Sequence, residues 1–418
     1  MRASGVCAVV FAWAVLVPGA WANDVAPPPY LPSTSEAVAW IEADSSVVRA
    51  RHGIAAAAHG GAALAAGAQE WQVRVQGQRR EIQDGAPASR EWLVQLERPW
   101  RVNGKAGLDR QLGEVENTIA RARLGEARHE SARALADLWI AELAARRRQA
   151  LTGNQVELAH GNLDVVRKRR RAGDASLLDE QMALAELGDG RREHSMAQTA
   201  LAKARAATRT RFGAEIPAGL GLVGSSPEEP LLVESLWLAK VLEEADPIKA
   251  AEAVLDRARM AASRARAEHV PDPTVGVFAA REARGNEKVV GVSVTVPLGG
   301  VHRTQRALQL EREVDVAQAA LDQVRRETAL EARTTWTEAQ GSRERWQLGR
   351  ETARLASENA RLMQRAYALG EADLQALLLA RRQAAQAAVA ALEAQADSLR
   401  WEARLLVDAH LIWDLTHD

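Results

Sequence analysis

The sequence predicts a mainly α protein with a small membrane β-barrel portion, built from one helix–strand–strand–long helical hairpin unit written twice. Three observations lead there. No proline occurs from residue 100 to 216 or from 298 to 418, so both runs can form uninterrupted helix. Segments of two-residue alternation, the period of a half-buried strand, stand just before each run. Landmarks recur at nearly one offset: Pro99 and Pro297 lie 198 residues apart, and Gly173 and Gly370 lie 197 apart.

In chain order, residues 1–22 read as a signal peptide. Arg2 precedes an apolar stretch from Val6 to Val17, followed by Pro18 and the small-residue pattern Ala20-Trp21-Ala22. The one cysteine, Cys7, falls inside this segment, so the exported chain is expected to lack thiol chemistry. Residues 23–34 form a Pro-rich N-terminal segment. The first repeat is assigned to 35–213, a Gly/Pro/Ser-rich linker to 214–232 and the second repeat to 233–418. A single upstream helix opens each repeat, over roughly 36–66 and 233–268.

Strands come next. Trp71, Val73 and Val75 point to one face and Gln72, Arg74 and Gln76 to the other; Trp92, Val94 and Leu96 repeat the pattern against Gln95 and Glu97. In the second repeat Val290, Val292, Val294 and Val296 alternate with Gly291, Ser293 and Thr295, and Val275, Val277 and Ala279 form a weaker face. Tryptophan at strand ends and polar residues on the opposite face suit a barrel wall facing lipid. After the signal, no run approaches the ~20 apolar residues of a membrane-spanning helix, so a membrane role must use strands. Open strand edges are not tolerated in lipid, and four strands cannot close. Two chains would give eight strands and three would give twelve; an eight-strand interior is filled by side chains, so conduction favours the trimer. Segments 79–90 and 282–287 are then the loops joining paired strands.

A helix from Lys105 to Ala172 would run about 100 Å at 1.5 Å per residue, longer than any compact domain of this size. Along the second long helix Leu310, Val314, Ala317, Leu321 and Val324 step by four and three, a coiled-coil seam. Each long helix ends at a matching glycine turn, Ala172-Gly173-Asp174-Ala175-Ser176-Leu177 and Leu369-Gly370-Glu371-Ala372-Asp373-Leu374. Glycine permits the left-handed reversal, and Asp174 and Glu371 are expected where a helix N-terminus favours negative charge.

Several chemistries are set aside. Lys plus Arg number 54 and Asp plus Glu 55, so no net field draws nucleic acid. His52, His59, His129, His160, His194, His269, His302, His410 and His417 include no pair spaced three or four residues apart, and no metal or cofactor site is indicated. No phosphate loop or nucleophile elbow occurs, so no catalytic residue is assigned and the chain is not expected to be an enzyme.

With the Val294-Thr295-Val296-Pro297-Leu298-Gly299-Gly300 strand end and the paired glycine turns in place, the chain resembles the TolC-like outer-membrane efflux proteins, nearest their cobalt-zinc-cadmium branch. That resemblance implies a homotrimer with a twelve-strand barrel in outer-membrane lipid and a helical tunnel extending into the periplasm. It further implies a periplasmic adaptor (membrane fusion protein) and an inner-membrane transporter of the resistance-nodulation-division type, with heavy-metal cations as cargo. Adaptor contact would fall on the helix tips at Gly173, Asp174, Leu177, Gly370, Glu371 and Leu374, and Asp179 and Asp373 would stand near the tunnel entrance. The alternative is an exported periplasmic coiled-coil scaffold or adaptor, which the seam alone would equally suit.

Overall fold

A computed structural model describes residues 25–81, 88–222 and 224–413. The signal segment and most of the loop between the first two strands lie outside the described residues.

Among the described residues two antiparallel pairs of strands and eight α-helices follow in an order that occurs twice. α1 (Thr34–Ala43), α2 (Ser45–Ala66), β1 (Gln72–Arg80), β2 (Ser89–Pro99), α3 (Lys105–Ala172) and α4 (Leu177–Phe212) are followed by α5 (Glu234–Glu244), α6 (Asp246–Ala267), β3 (Thr274–Glu282), β4 (Glu287–Thr295), α7 (Val301–Leu369) and α8 (Leu374–Asp408). α3 has 68 residues and α7 has 69, each lying wholly within one of the proline-free spans.

The upstream helices depart from expectation. Each is two helices, because Asp44 and Ala245 adopt extended backbone at the junctions. Asp44 turns its side chain back to accept from the Ser46 N–H at 2.8 Å, capping α2 and ending α1. At the second break Pro247 occupies the first turn of α6, where its missing N–H costs nothing.

The helices pack as a layer, not around one centre. In the half nearer the sheet the neighbours run α2, α3, α6, α7; in the half nearer the glycine turns they run α4, α3, α8, α7. The predicted seam on α7 is present, and its partner is α6: Ala317 and Leu321 are buried with Leu255, and Ile248 packs alongside. The largest cluster joins Tyr30 and Leu31, α1, α3, Phe212 and α8. A packed tryptophan pair recurs in each half, Trp40 with Trp139 at 5.5 Å and Trp237 with Trp336 at 5.7 Å between ring centroids. Both members are displaced by 197 residues, a third landmark at the offset of the glycine turns.

Candidate functional site

The strands form one antiparallel sheet in the order β1-β2-β3-β4, with β2 on β3 joining the two halves of the chain. Register places Val73 opposite Leu96, Leu96 opposite Val277 and Val277 opposite Val292. Val75, Val94, Ala279 and Val290 form the next row. The alternating residues of four separate strands thereby become one continuous apolar face, and it is exposed: Val290 is 83% and Val292 70% accessible. Trp92 lies on that face, and Trp71 and Val296 stand exposed just beyond their strands.

The opposite face is a polar network. Gln95 Nε2 donates to Glu97 Oε2 at 2.7 Å and to Ser293 Oγ at 3.1 Å, and Gln78 Nε2 donates to Glu91 Oε2 at 2.7 Å. Arg74 and Arg80 reach Glu97 and Glu91. Phe278 lies over Gly291 so closely that a Cβ there would meet the ring at 2.5 Å, the reason for glycine at that position. An ordinary half-buried sheet hides its apolar face and wets its polar one. Here the apolar side is open and the polar side is hydrogen-bonded within itself. Among the described residues β1 and β4 each have a strand partner on one side only.

The join between sheet and helices is polar and buried. Lys105 opens α3 with its Nζ donating to Asp272 Oδ1 and to Val270 O, both at 2.7 Å, and the Val102 N–H donates to the same carboxylate oxygen. Asp109 holds Arg101 and Arg264.

At the far end, Gly173 and Gly370 have φ of 88° and 79°, the left-handed backbone expected of them. Asp174 and Glu371 do not sit at helix N-termini. Their backbone N–H groups close the preceding helices, donating to Arg169 O at 2.8 Å and Ala366 O at 2.9 Å. The N-cap positions belong to Ser176 and Asp373, one pair of residues later. Asp373 Oδ1 accepts from the Ala376 N–H at 2.7 Å, and Asp179 Oδ2 accepts from the N–H and hydroxyl of Ser176 at 2.8 Å. Leu374 is buried with Leu163, Val166 and Leu377, whereas Leu177 is exposed.

Other contacts at this end were not expected. Glu180 accepts from Arg167 at 3.1 Å and pairs with Arg170 at 2.7 Å, while Arg169 stacks 5.0 Å over the ring of Tyr367, tying the two turns together. Their only trace in the sequence is the basic run 167–171 against a lone tyrosine.

Two polar clusters occupy the middle of the molecule. Asp408 is fully buried at the end of α8; burial pushes its carboxyl up, but hydrogen bonds and charge from His129 and Arg133 outweigh this and hold it below the usual carboxylate range. Arg133 grips it through Nε at 2.7 Å and Nη2 at 2.9 Å. His129 and His410, from distant parts of the chain, bring their rings to 5.3 Å, a proximity that spacing along one helix could not show. Elsewhere a cavity of 1540 Å³ opens between the linker and α7–α8, lined by Tyr30, Trp237, Arg343, Glu402 and Leu405. Burial pushes Glu402 up to about 7, against hydrogen bonds from the Glu228 N–H and the Tyr30 hydroxyl. Among the described residues no three His, Cys, Asp or Glu side chains are grouped to hold a metal, and no helix is long and apolar enough to cross a membrane.

Residues 237–407 match the outer membrane efflux protein family. The cobalt-zinc-cadmium resistance protein CzcC of Cupriavidus metallidurans is 26% identical over 238 residues, a match spanning 57% of this chain and 57% of that protein. The fold is shared with the outer-membrane channel OprN, with TM-score 0.77 and 16% identity over 91% of this chain and 90% of that one. It is shared with the outer membrane protein VceC of Vibrio cholerae, with TM-score 0.72 and 14% identity over 90% and 96%. The CmeC outer membrane channel of Campylobacter jejuni gives 0.70 and 14% over 92% and 86%.

Proposed function

Starting from the match to the outer membrane efflux protein family, we propose that this protein is the outer-membrane channel subunit of a tripartite efflux system, a passive conduit with its sheet in lipid and its helices in the periplasm. One observation carries the reading: a sheet with an exposed apolar face, a self-satisfied polar face and two open edges. In lipid the apolar face is solvated, and β1 of one chain satisfies β4 of the next. Three chains close twelve strands around the polar face, which becomes the wall of an aqueous lumen. The two repeats, 35–213 and 233–418, supply equal halves of each protomer's wall.

The helix tips around Gly173, Asp174, Leu177, Gly370, Glu371 and Leu374 are the surface offered to a periplasmic adaptor, which links the channel to an inner-membrane pump of the resistance-nodulation-division type. Asp179 and Asp373, committed to capping, line the entrance as fixed negative charge. Heavy-metal cations are the proposed cargo, from the CzcC match. Conduction is served by weak sites, so the channel needs no tight metal site. The working energy comes from the inner-membrane partner.

The test is native mass spectrometry of the protein extracted from outer membranes in mild detergent, followed by conductance in planar bilayers. Three protomer masses and discrete conductance steps are expected. Release of a monomer by osmotic shock, with no membrane-bound fraction, would overturn the channel in favour of a soluble scaffold.

A further inference from the structure

We propose that the loop end of the apolar sheet face binds the phosphorylated sugar headgroup of a membrane glycolipid through Arg79, Arg90, Arg281 and Lys288; this rests on the channel reading above. β1, β2, β3 and β4 contribute one of these residues each. The pairing fixes their places: Arg79 lies directly opposite Arg90, and Arg281 lies between Trp92 and Lys288. Side chains alternate along a strand, so Arg79 shares the face of Val75, Arg90 that of Val94, Arg281 that of Ala279 and Lys288 that of Val290. All four are exposed. The helices join the strands at the other end, at Gln72, Pro99, Thr274 and Thr295. The apolar face therefore finishes, on the side away from the helices, in a basic belt about 14 Å wide at ~4.8 Å per strand.

Two features separate this belt from an ordinary charged rim. Arg79 with Arg90 and Arg281 with Lys288 are like charges placed directly opposite each other, an arrangement that destabilises a sheet and that an intervening anion relieves. The sheet also sorts its charges by face, so that nearby carboxylates cannot serve. Glu282 is paired with Glu287 on the polar side, and Glu91 is buried there against Arg80 and Gln78. Arg79 meets the exposed Glu81 at 2.9 Å, whereas among the described residues no carboxylate pairs with Arg90, Arg281 or Lys288. Arg281 Nε donates to Gly285 O at 3.2 Å, and its terminal nitrogens remain to reach a ligand.

The helix end of the same face is built differently. Trp71 and Trp100 are exposed there, and the basic residue beside them, Arg98, is already engaged: its Nε donates to Gln69 O at 2.8 Å and its guanidinium lies 5.6 Å over the Trp71 ring. Only the loop end offers cations to a ligand. Guanidinium groups present paired donors to phosphate oxygens, and the Lys288 ammonium adds a point charge. The belt is continuous with the apolar rows through Trp92 and Val290, so the ligand it fits carries phosphate above and hydrocarbon below. A free phosphate would use the charges alone; a phosphorylated glycolipid uses the charges and the apolar rows together.

The experiment titrates full-length protein, extracted from outer membranes in mild detergent, with bis-phosphorylated lipid A or with the same glycolipid after phosphatase treatment. Native mass spectrometry reads the bound copies per trimer. A basic residue beside an anionic headgroup changes affinity about fivefold, so Arg90→Gln with Lys288→Gln is expected to weaken binding of the phosphorylated form about 30-fold. Each single substitution should weaken it about fivefold, with the trimer intact and its thermal midpoint at or above that of the parent. Arg312→Gln with Arg326→Gln removes two charges from α7 and should bind as the parent does. A parent trimer that takes up both forms equally, or belt variants that bind the phosphorylated form as tightly as the parent, overturns the proposal and leaves the channel standing. So does displacement of the lipid by inorganic phosphate at equal phosphate concentration, which would make the belt a site for the free anion. A monomer released by osmotic shock overturns the belt and the channel together.

Discussion

The indole Nε1 of Trp139 donates to Tyr30 O at 3.0 Å, fastening the N-terminal segment to the middle of α3. In the second half the other member of the pair donates: Trp237, the counterpart of Trp40 and packed on Trp336, gives its N–H to Leu405 O at 2.9 Å and fastens α5 to α8. Both indoles are fully buried, so each N–H must find an acceptor or lose its hydration without return. Replacing Trp139 or Trp237 by Phe removes the donor and thins the core, although Leu405 O keeps the Ala409 N–H at 3.3 Å. Each is expected to cost about 1–3 kcal/mol, read as a lower thermal midpoint in detergent with the oligomer otherwise intact. Unchanged midpoints would mean that neither segment is held by its indole.

Asp408 offers a sharper contrast between buried and exposed charge. It is enclosed, and Arg133 spends two donors on it. Asp408→Ala removes the buried carboxylate and leaves the mostly buried Arg133 guanidinium only the half-exposed Glu331 as counter-ion, at an expected cost of about 3–5 kcal/mol. Glu331 also pairs with Arg133, at 2.8 Å, but is half exposed. Glu331→Ala should fall within about 0.5 kcal/mol of the parent protein. Denaturant titrations of the two variants side by side decide it; similar losses would show that the Asp408 site is wetter than its packing indicates.

A dependence on pH is expected at Glu402. Its pKa rises from 4.5 to about 7 on folding because burial disfavours the charged form. The associated stability is fully present below pH 4.5, declines between 4.5 and 7, and is absent above 7. The shift corresponds to about 3 kcal/mol at ~1.4 kcal/mol per unit. Glu402→Gln keeps the acceptor for the Glu228 N–H and removes the titration. The variant should therefore lose the decline between pH 4.5 and 7 expected of the parent protein. Parallel stability curves over that range would show that Glu402 remains solvated.

What was legible in the sequence is what has a period or a break. Proline exclusion showed that α3 and α7 could run unbroken, the glycine turns at Gly173 and Gly370 marked their far ends, and alternation identified the strand faces before pairing was known. The breaks at Asp44 and Ala245 were missed because a cap such as Asp44 looks like any acidic residue in an amphipathic run. Asp174 and Glu371 were placed on the wrong side of the turn: the left-handed glycine is followed by residues whose N–H groups still serve the preceding helix, so the next helix begins at Leu177 and Leu374. Asp408 with Arg133 and the joined His129 and His410 rings were invisible for a simpler reason, since each links residues more than 270 positions apart with no pattern between them.

The sheet gives the most direct test of where the protein resides. Val292 lies mid-strand on the exposed apolar face, and its neighbour Ser293 points to the polar face, where it accepts from Gln95. If the apolar face meets lipid, Val292→Lys places an ammonium near the middle of the hydrocarbon and should cost about 2–4 kcal/mol. It should reduce recovery in the outer-membrane fraction and lower the urea midpoint of the extracted protein. Ser293→Lys puts the same charge among Gln95, Glu97 and Arg74 on the polar side, where water and a carboxylate can receive it. That variant should assemble, with its effect appearing in the ion selectivity of the conductance. Equal tolerance of lysine at both positions would show that the two faces meet the same solvent, and the membrane wall would have to be abandoned.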